Sequence, residues 1–162
     1  MKLSAQEEYG LRCLLQVAGH PEGGEPLTIE RIAELEGLTA PYVGKLMRPL
    51  VRARLVVSHR GQRGGYRLAR PADEITLLEV FGALGGHFFE PDTCDTKFSG
   101  AESLCVHTVG CTLRHFLRQV ENAVEGMMGG VTLANFVAPA GLPAPRSAAP
   151  PPPAVLMASG KP

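Results

Sequence analysis

Three cysteines carry the most pointed chemistry in the chain. Cys94 and Cys105 are separated by ten residues, Cys105 and Cys111 by five. All three fall in or at the end of residues 87–110, a stretch without helical or strand period. An irregular segment of that length inside a compact domain needs a function or a ligand to order it. Thiolates are soft donors suited to metals or an iron–sulfur cluster, and at neutral pH they form beside positive charge or metal. Both gaps exceed the two-residue spacing of zinc ribbons, which argues against a zinc knuckle. The residues alone leave three chemistries open: a metal or cluster site, thiol-based redox sensing, or inert cysteines. His107 and His115 lie near these cysteines in sequence. A cysteine-nucleophile enzyme needs a paired base and a pocket. No oxyanion-forming glycine motif or orienting carboxylate accompanies these histidines, so the chain is not read as an enzyme. Cys13, beside Leu14 and Leu15 in a helical pattern, reads as a small core residue.

A second concentration of chemistry lies in residues 41–70. They contain Lys45, Arg48, Arg52, Arg54, Arg60, Arg63, Arg67 and Arg70 and no Asp or Glu, a charge of +8 in a chain whose formal net charge is zero. A neutral protein with one strongly basic segment presents a surface for a polyanion. A merely solvated basic face is the alternative, and the elements that carry the charges decide against it.

Those elements follow from local pattern. Ser4 and Glu7 form a capping box, and Leu11, Leu14, Leu15 and Ala18 continue it as a first helix over about residues 5–19. A Pro- and Gly-rich loop follows to Pro26. Thr28 caps a short helix with Ile29, Ile32 and Ala33 facing inward, ended by Gly37. Thr39 is a good N-cap for the next helix, with Pro41 tolerated in its first turn. Val43, Leu46, Met47 and Leu50 form its buried stripe, and Pro49 is expected to kink or tighten it. Two helices joined by a short glycine-containing turn are a helix-turn-helix. Leu55–Ser58 and Tyr66–Ala69 read as strands around the glycine-rich turn 61–65, a hairpin placed where a wing belongs. Thr76 caps a helix ended by Gly85 and Gly86.

The predicted fold is therefore mainly α, a winged helix-turn-helix with a β-hairpin wing. The second helix of the motif enters the major groove of double-stranded DNA with its N-terminal residues nearest the bases. Thr39, Tyr42, Lys45 and Arg48 are the expected contacts there, Arg48 matching the two acceptors of guanine. In the wing, His59, Arg60 and Arg63 are expected to reach the minor groove or its phosphates.

After Cys111, the residues Leu113, Phe116, Leu117, Val120, Val124, Met127 and Met128 form a two-heptad apolar seam. A helix over 112–128 can use it to join a homodimer or to pack on its own domain. Thr132–Phe136 adds a further turn. Beyond it, Pro, Ala, Gly and Ser dominate, and four consecutive prolines at 150–153 indicate a disordered tail. The expected division is 1–86 for DNA binding, 87–111 as a cysteine-containing sensor loop, 112–137 as a long dimerisation helix and 138–162 as the tail. No run approaches 18 consecutive apolar residues, so no membrane span is expected. The N-terminus lacks the apolar core of a secretory signal. A cytoplasmic location with reduced thiols is the corresponding expectation.

The order of these features resembles the Rrf2 family of regulators, of the IscR/NsrR type. The likeness covers residues 1 to about 137. It rests on the Met-Lys-Leu-Ser start, the wing sequence Arg-Gly-Gln-Arg-Gly-Gly-Tyr-Arg-Leu, the segment Glu-Ile-Thr-Leu-Leu-Glu-Val, the cysteine loop and the long helix. The resemblance implies a homodimer crossed through the long helix, binding near-palindromic operators under the control of an iron–sulfur cluster. It implies cluster ligands Cys94, Cys105 and Cys111 and a non-cysteine fourth ligand, for which the matching position is Glu8, from the partner subunit. Because the first cysteine gap is ten rather than five, it leaves 2Fe–2S and 4Fe–4S both open. The signal (redox state, nitric oxide or cluster status) is not legible. Some relatives of this family lack clusters, so a cluster-free regulator controlled by thiol oxidation or a protein partner is the alternative.

Overall fold

The computed structural model describes residues 3–21, 25–61, 64–85 and 111–137. Cys94, Cys105, His107, Arg63 and the Pro-rich tail lie outside the described residues, as does all of the stretch read as irregular up to residue 110. The elements are α1 (Ala5–Ala18), α2 (Ile29–Glu36), α3 (Ala40–Arg52), β1 (Val56–His59), β2 (Gly65–Leu68), a 3-10 turn (Ala72–Glu74), α4 (Leu77–Leu84), α5 (Thr112–Gly129) and α6 (Ala134–Val137). No helix among the described residues is long and apolar enough to cross a membrane.

Helix starts follow side-chain chemistry. Ser4 Oγ accepts from Glu7 N at 3.2 Å, and Ser4 N donates to Glu7 Oε2 at 2.6 Å. Thr76 and Glu79 repeat the arrangement at α4, and Thr28 Oγ1 accepts from Arg31 N at 3.2 Å. Each capping bond satisfies a backbone donor that the helix itself leaves open. Thr39 corrects the expectation in part: it occupies the N-cap position of α3, but its side chain makes no capping hydrogen bond.

α3 is the centre of the fold and packs against α1, α2, α4 and β1. Its stripe Val43, Leu46, Met47 and Leu50 is buried to 1% exposure or less. At about 1.5–3 kcal/mol per buried side chain, the stripe outweighs the roughly 3 kcal/mol that an interior proline costs. α3 accordingly continues through Pro49 to Arg52. The carbonyl that Pro49 deprives of a donor belongs to Lys45, an exposed residue that water reaches.

α3 ends in a Schellman motif. Leu55 N donates to Leu50 O and Arg54 N to Val51 O, both at 3.0 Å. The left-handed position that glycine usually fills is Arg54, with φ +58°. An L side chain there costs roughly 1–2 kcal/mol. Burial of Leu50 and Leu55 at the ends of the motif holds it in place.

The hairpin pairs Val56 with Leu68, Val57 with Arg67, Ser58 with Tyr66 and His59 with Gly65. Both strands run one residue nearer the turn than the sequence indicates, because the ladder continues to the His59–Gly65 pair. Leu27 adds a short third rung: Leu27 N donates to Tyr66 O at 3.0 Å and Tyr66 N to Leu27 O at 2.8 Å. Gly65 permits this approach, since a Cβ there would lie 2.5 Å from Leu27 O.

A second backbone pin ties the C-terminal segment to the domain. Leu77 N donates to Val131 O at 2.9 Å and Leu133 N to Ile75 O at 3.0 Å. Ile75 and Leu133 are fully buried in the same core as the α3 stripe. Gln6 Nε2 donates to Leu84 O at 2.7 Å, capping the end of α4 from α1. α1 and α4 approach closely at Gly10, where a Cβ would lie 2.5 Å from a Leu84 methyl carbon.

Relieving the left-handed position tests this account of the α3 terminus. Arg54→Gly should raise the urea unfolding midpoint by the equivalent of about 0.5 kcal/mol, the strain relieved less the extra entropy of glycine. Arg54→Val, with its β-branched side chain, should lower stability by about 1 kcal/mol or more.

Candidate nucleic-acid interface and sensing residues

Burial of the α3 stripe fixes what the opposite face presents. Lys45, Arg48 and Arg52, at spacings of three and four, are all exposed. Thr39 is exposed at the N-terminal end, and Tyr42 is half-buried beside it. The Tyr42 ring meets Tyr9 of α1 edge to face, with centroids 6.3 Å apart and an interplanar angle of 72°. In the wing, His59 and Arg60 are exposed, and Arg63 lies outside the described residues.

Electrostatics separate this face from the rest of the basic segment. Arg70 is turned away: its Nη2 lies 2.7 Å from Glu79 Oε1, and its Nη1 donates to Glu74 O. Glu79 is held below the ordinary carboxylate range by the Thr76 backbone N–H first and by Arg70. Among the described residues, no carboxylate lies within ion-pair distance of Lys45, Arg48, Arg52, Arg54 or Arg60. Exposed cations without internal partners are available for phosphates. The Arg48 charge also acts on the Tyr66 phenol, opposing the rise that burial imposes on it. Arg52 and Arg54 extend the cationic face beyond the contacts expected from sequence. For Arg52 the signal was present as the next turn of the Lys45–Arg48 face. For Arg54 it was not, because the chain leaves the helix at Ala53.

Of the expected ligands, Glu8 and Cys111 are described. Glu7 is engaged in the capping box, whereas the Glu8 side chain is 53% exposed and lies 3.8 Å from Arg12 Nη1. Cys111 is half-buried and immediately precedes α5. His115, one turn on, accepts from Gln119 Nε2 at 3.0 Å when neutral. No group of three or more His, Cys, Asp or Glu converges among the described residues. Two of the four expected ligands, Cys94 and Cys105, lie outside them. Cys13 is fully buried. Burial first, and then the Glu36 charge, push its thiol up to about 11, so it is a neutral packing group at physiological pH.

α5 packs against α4, and Met128 is buried there. Toward its N-terminus the seam is open, with Leu113 63% and Phe116 58% exposed. Val120 and Val124 are half-buried between these ends.

Comparison with known proteins agrees with the geometry. The family described as Rrf2, iron-dependent transcriptional regulator, matches residues 3–139. The protein rrf2 of Nitratidesulfovibrio vulgaris is 33% identical over 143 residues, covering 88% of this chain and 91% of the relative. Among solved structures, IscR of T. potens superposes with a TM-score of 0.65 at 26% identity, over 85% of this chain and 86% of that one. The oxidized form of Staphylococcus aureus CymR superposes with a TM-score of 0.64 at 26% identity, over 85% and 97%. The mainly helical fold with its two-stranded hairpin matches these winged-helix regulators. The chain belongs to the Rrf2 family of transcription regulators, DNA-binding winged-helix proteins and not enzymes.

Proposed function

We propose that this regulator binds near-palindromic operators as a homodimer joined through the α5 seam, and that an iron–sulfur cluster governs the binding. The observation that carries the DNA reading is the face formed by Lys45, Arg48 and Arg52, which burial of the α3 stripe turns outward and no described carboxylate neutralises. Thr39, Tyr42, Lys45 and Arg48 are assigned to the major groove, and His59, Arg60 and Arg63 to the wing contacts. Residues 1–86 form the DNA-binding unit, 87–111 the sensor, 112–137 the dimerisation segment and 138–162 a tail without assigned role.

The cluster ligands assigned are Cys94, Cys105, Cys111 and the partner's Glu8. What supports them is the donor chemistry: Glu8 is exposed and outside the capping box, Cys111 is half-buried at the start of α5, and Cys13 is too deeply buried to compete. A cluster bound there supplies iron that responds to oxidants, nitric oxide or cluster supply. The chain's own part is mechanical. Gln6 and Gly10 hold α1, which carries Glu8, against the end of α4, from which the cysteine segment departs. α1 also packs on α2 and α3, so a change at α1 alters how the two recognition helices are presented. A second reading keeps the fold and replaces the cluster by thiol oxidation or a protein partner. The likeness to CymR in an oxidized form favours it as much as the likeness to IscR favours the first.

The DNA assignment predicts that Lys45→Ala and Arg48→Ala each reduce the salt dependence of binding by about one phosphate equivalent when titrated across ionic strengths. Arg48→Ala should in addition relax selection at one base pair, at a cost of about 1–3 kcal/mol. The dimer assignment predicts that Leu113→Glu combined with Phe116→Glu yields a monomer in sedimentation velocity that keeps its helical content, because both side chains are exposed within one subunit. A dimer persisting in that variant would move the interface elsewhere. The cluster assignment is tested by absorption spectra with iron and sulfide analysis of protein purified without oxygen. Visible bands with matching iron and sulfide, weakened by Glu8→Ala and abolished by changing Cys94, Cys105 and Cys111 to Ser, are expected. A colourless protein, even after reconstitution, whose DNA affinity follows thiol oxidation would establish the second reading.

A further inference from the structure

α1 meets the helix-turn-helix through the apolar core, and also through one set of directional contacts centred on Glu36. Arg12 Nε lies 2.7 Å from Glu36 Oε2, and Gln16 Nε2 donates to Glu36 Oε1 at 2.6 Å. The Arg12 guanidinium also sits over the Tyr9 ring, 5.6 Å from its centroid, and Tyr9 in turn meets Tyr42 of α3. Glu36 is the last residue of α2, immediately before the left-handed Gly37 that starts the turn into α3. Its side chain is only 5% exposed.

That placement is unfavourable in isolation. A carboxylate at a helix C-terminus opposes the helix dipole, and burying it without partners is strongly unfavourable. Arg12 and Gln16 occupy both of its oxygens, and this makes the position tolerable. The contact is also of a different kind from the core around it. Apolar burial is non-directional and fixes that two helices touch, not the angle at which they do so. A charge-assisted hydrogen bond fixes direction.

We propose that Glu36, gripped by Arg12 and Gln16, is a positioning residue that sets the angle of the recognition helix on α1 and thereby the discrimination between operator and other DNA. Arg12 serves the same end a second time through Tyr9 and Tyr42. The proposal rests on α3 being the base-reading helix. Phosphate contacts tolerate a small tilt of α3, whereas paired hydrogen bonds to base edges do not. Loss of the grip therefore costs specificity before it costs affinity.

The test uses the full chain and two duplexes: one enriched by the wild-type protein from a random pool, and its scrambled counterpart. Affinities are measured over a range of salt concentrations, with Tm for each variant. Glu36→Ala and Arg12→Ala should each weaken binding to the enriched duplex by roughly tenfold or more, and the double variant should be little worse than Arg12→Ala alone because the pair acts as a unit. Affinity for the scrambled duplex and its salt slope should stay within about twofold of wild type. Glu36→Gln, which keeps the hydrogen bond from Gln16 and is the gentler change if Glu36→Ala fails to fold, should fall between. An unchanged ratio between the duplexes despite a lowered Tm would overturn the proposal and reduce the contact to a stabilising one. Equal strengthening on both duplexes by Glu36→Gln would overturn it too, assigning Glu36 to simple repulsion of phosphate. A wild-type protein that enriches no sequence would overturn the base-reading role of α3 itself, and this inference with it.

Discussion

Burial of one face of α3 is the constraint from which the rest of the molecule follows. Val43, Leu46, Met47 and Leu50 have almost no solvent exposure, and four elements pack around them. With that face committed, the helical period leaves Lys45, Arg48 and Arg52 on the outside. The same burial carries α3 past Pro49 and supports a left-handed Arg54 at its end. The core thus decides both that this helix forms and which side chains it turns outward.

Two short backbone pairings join distant segments to this core. Leu27 and Tyr66 exchange hydrogen bonds at the root of the wing, and Val131 and Leu133 bond to Leu77 and Ile75 beneath α4. The first fixes the wing relative to the entry of α2. The second makes the end of α5 part of the winged-helix core, so that Leu133 is as buried as any residue of the stripe. α5 is thus anchored at its C-terminal end and leaves the apolar side chains of its N-terminal half exposed.

α1 touches both ends of the domain. Its N-terminal turn carries the exposed Glu8, and Gln6 caps α4 where the cysteine segment departs. Two turns on, Arg12 and Gln16 reach the helix-turn-helix through Glu36. α1 packs against α2, α3 and α4, and packed interiors do not deform continuously. Glu8 at one end and Glu36 at the other therefore share a rigid element, and Arg12 contacts both.

The sequence by itself determined the elements and much of the surface. Capping boxes at Ser4 and Thr76, glycine stops at Gly37 and Gly85, and the α3 stripe are local chemistry, legible because each depends on residues no more than a turn or two apart. The cationic character of α3 and the wing was legible for the same reason, and so was Cys13 as a core residue. The tertiary structure alone decided what depends on segments far apart in the chain. The rungs at Leu27 and Leu133 and the grip of Arg12 and Gln16 on Glu36 have no local periodicity to announce them. Each exists because packing brings together groups whose backbone or charge must then be satisfied, and burial without a partner would cost more than the pairing.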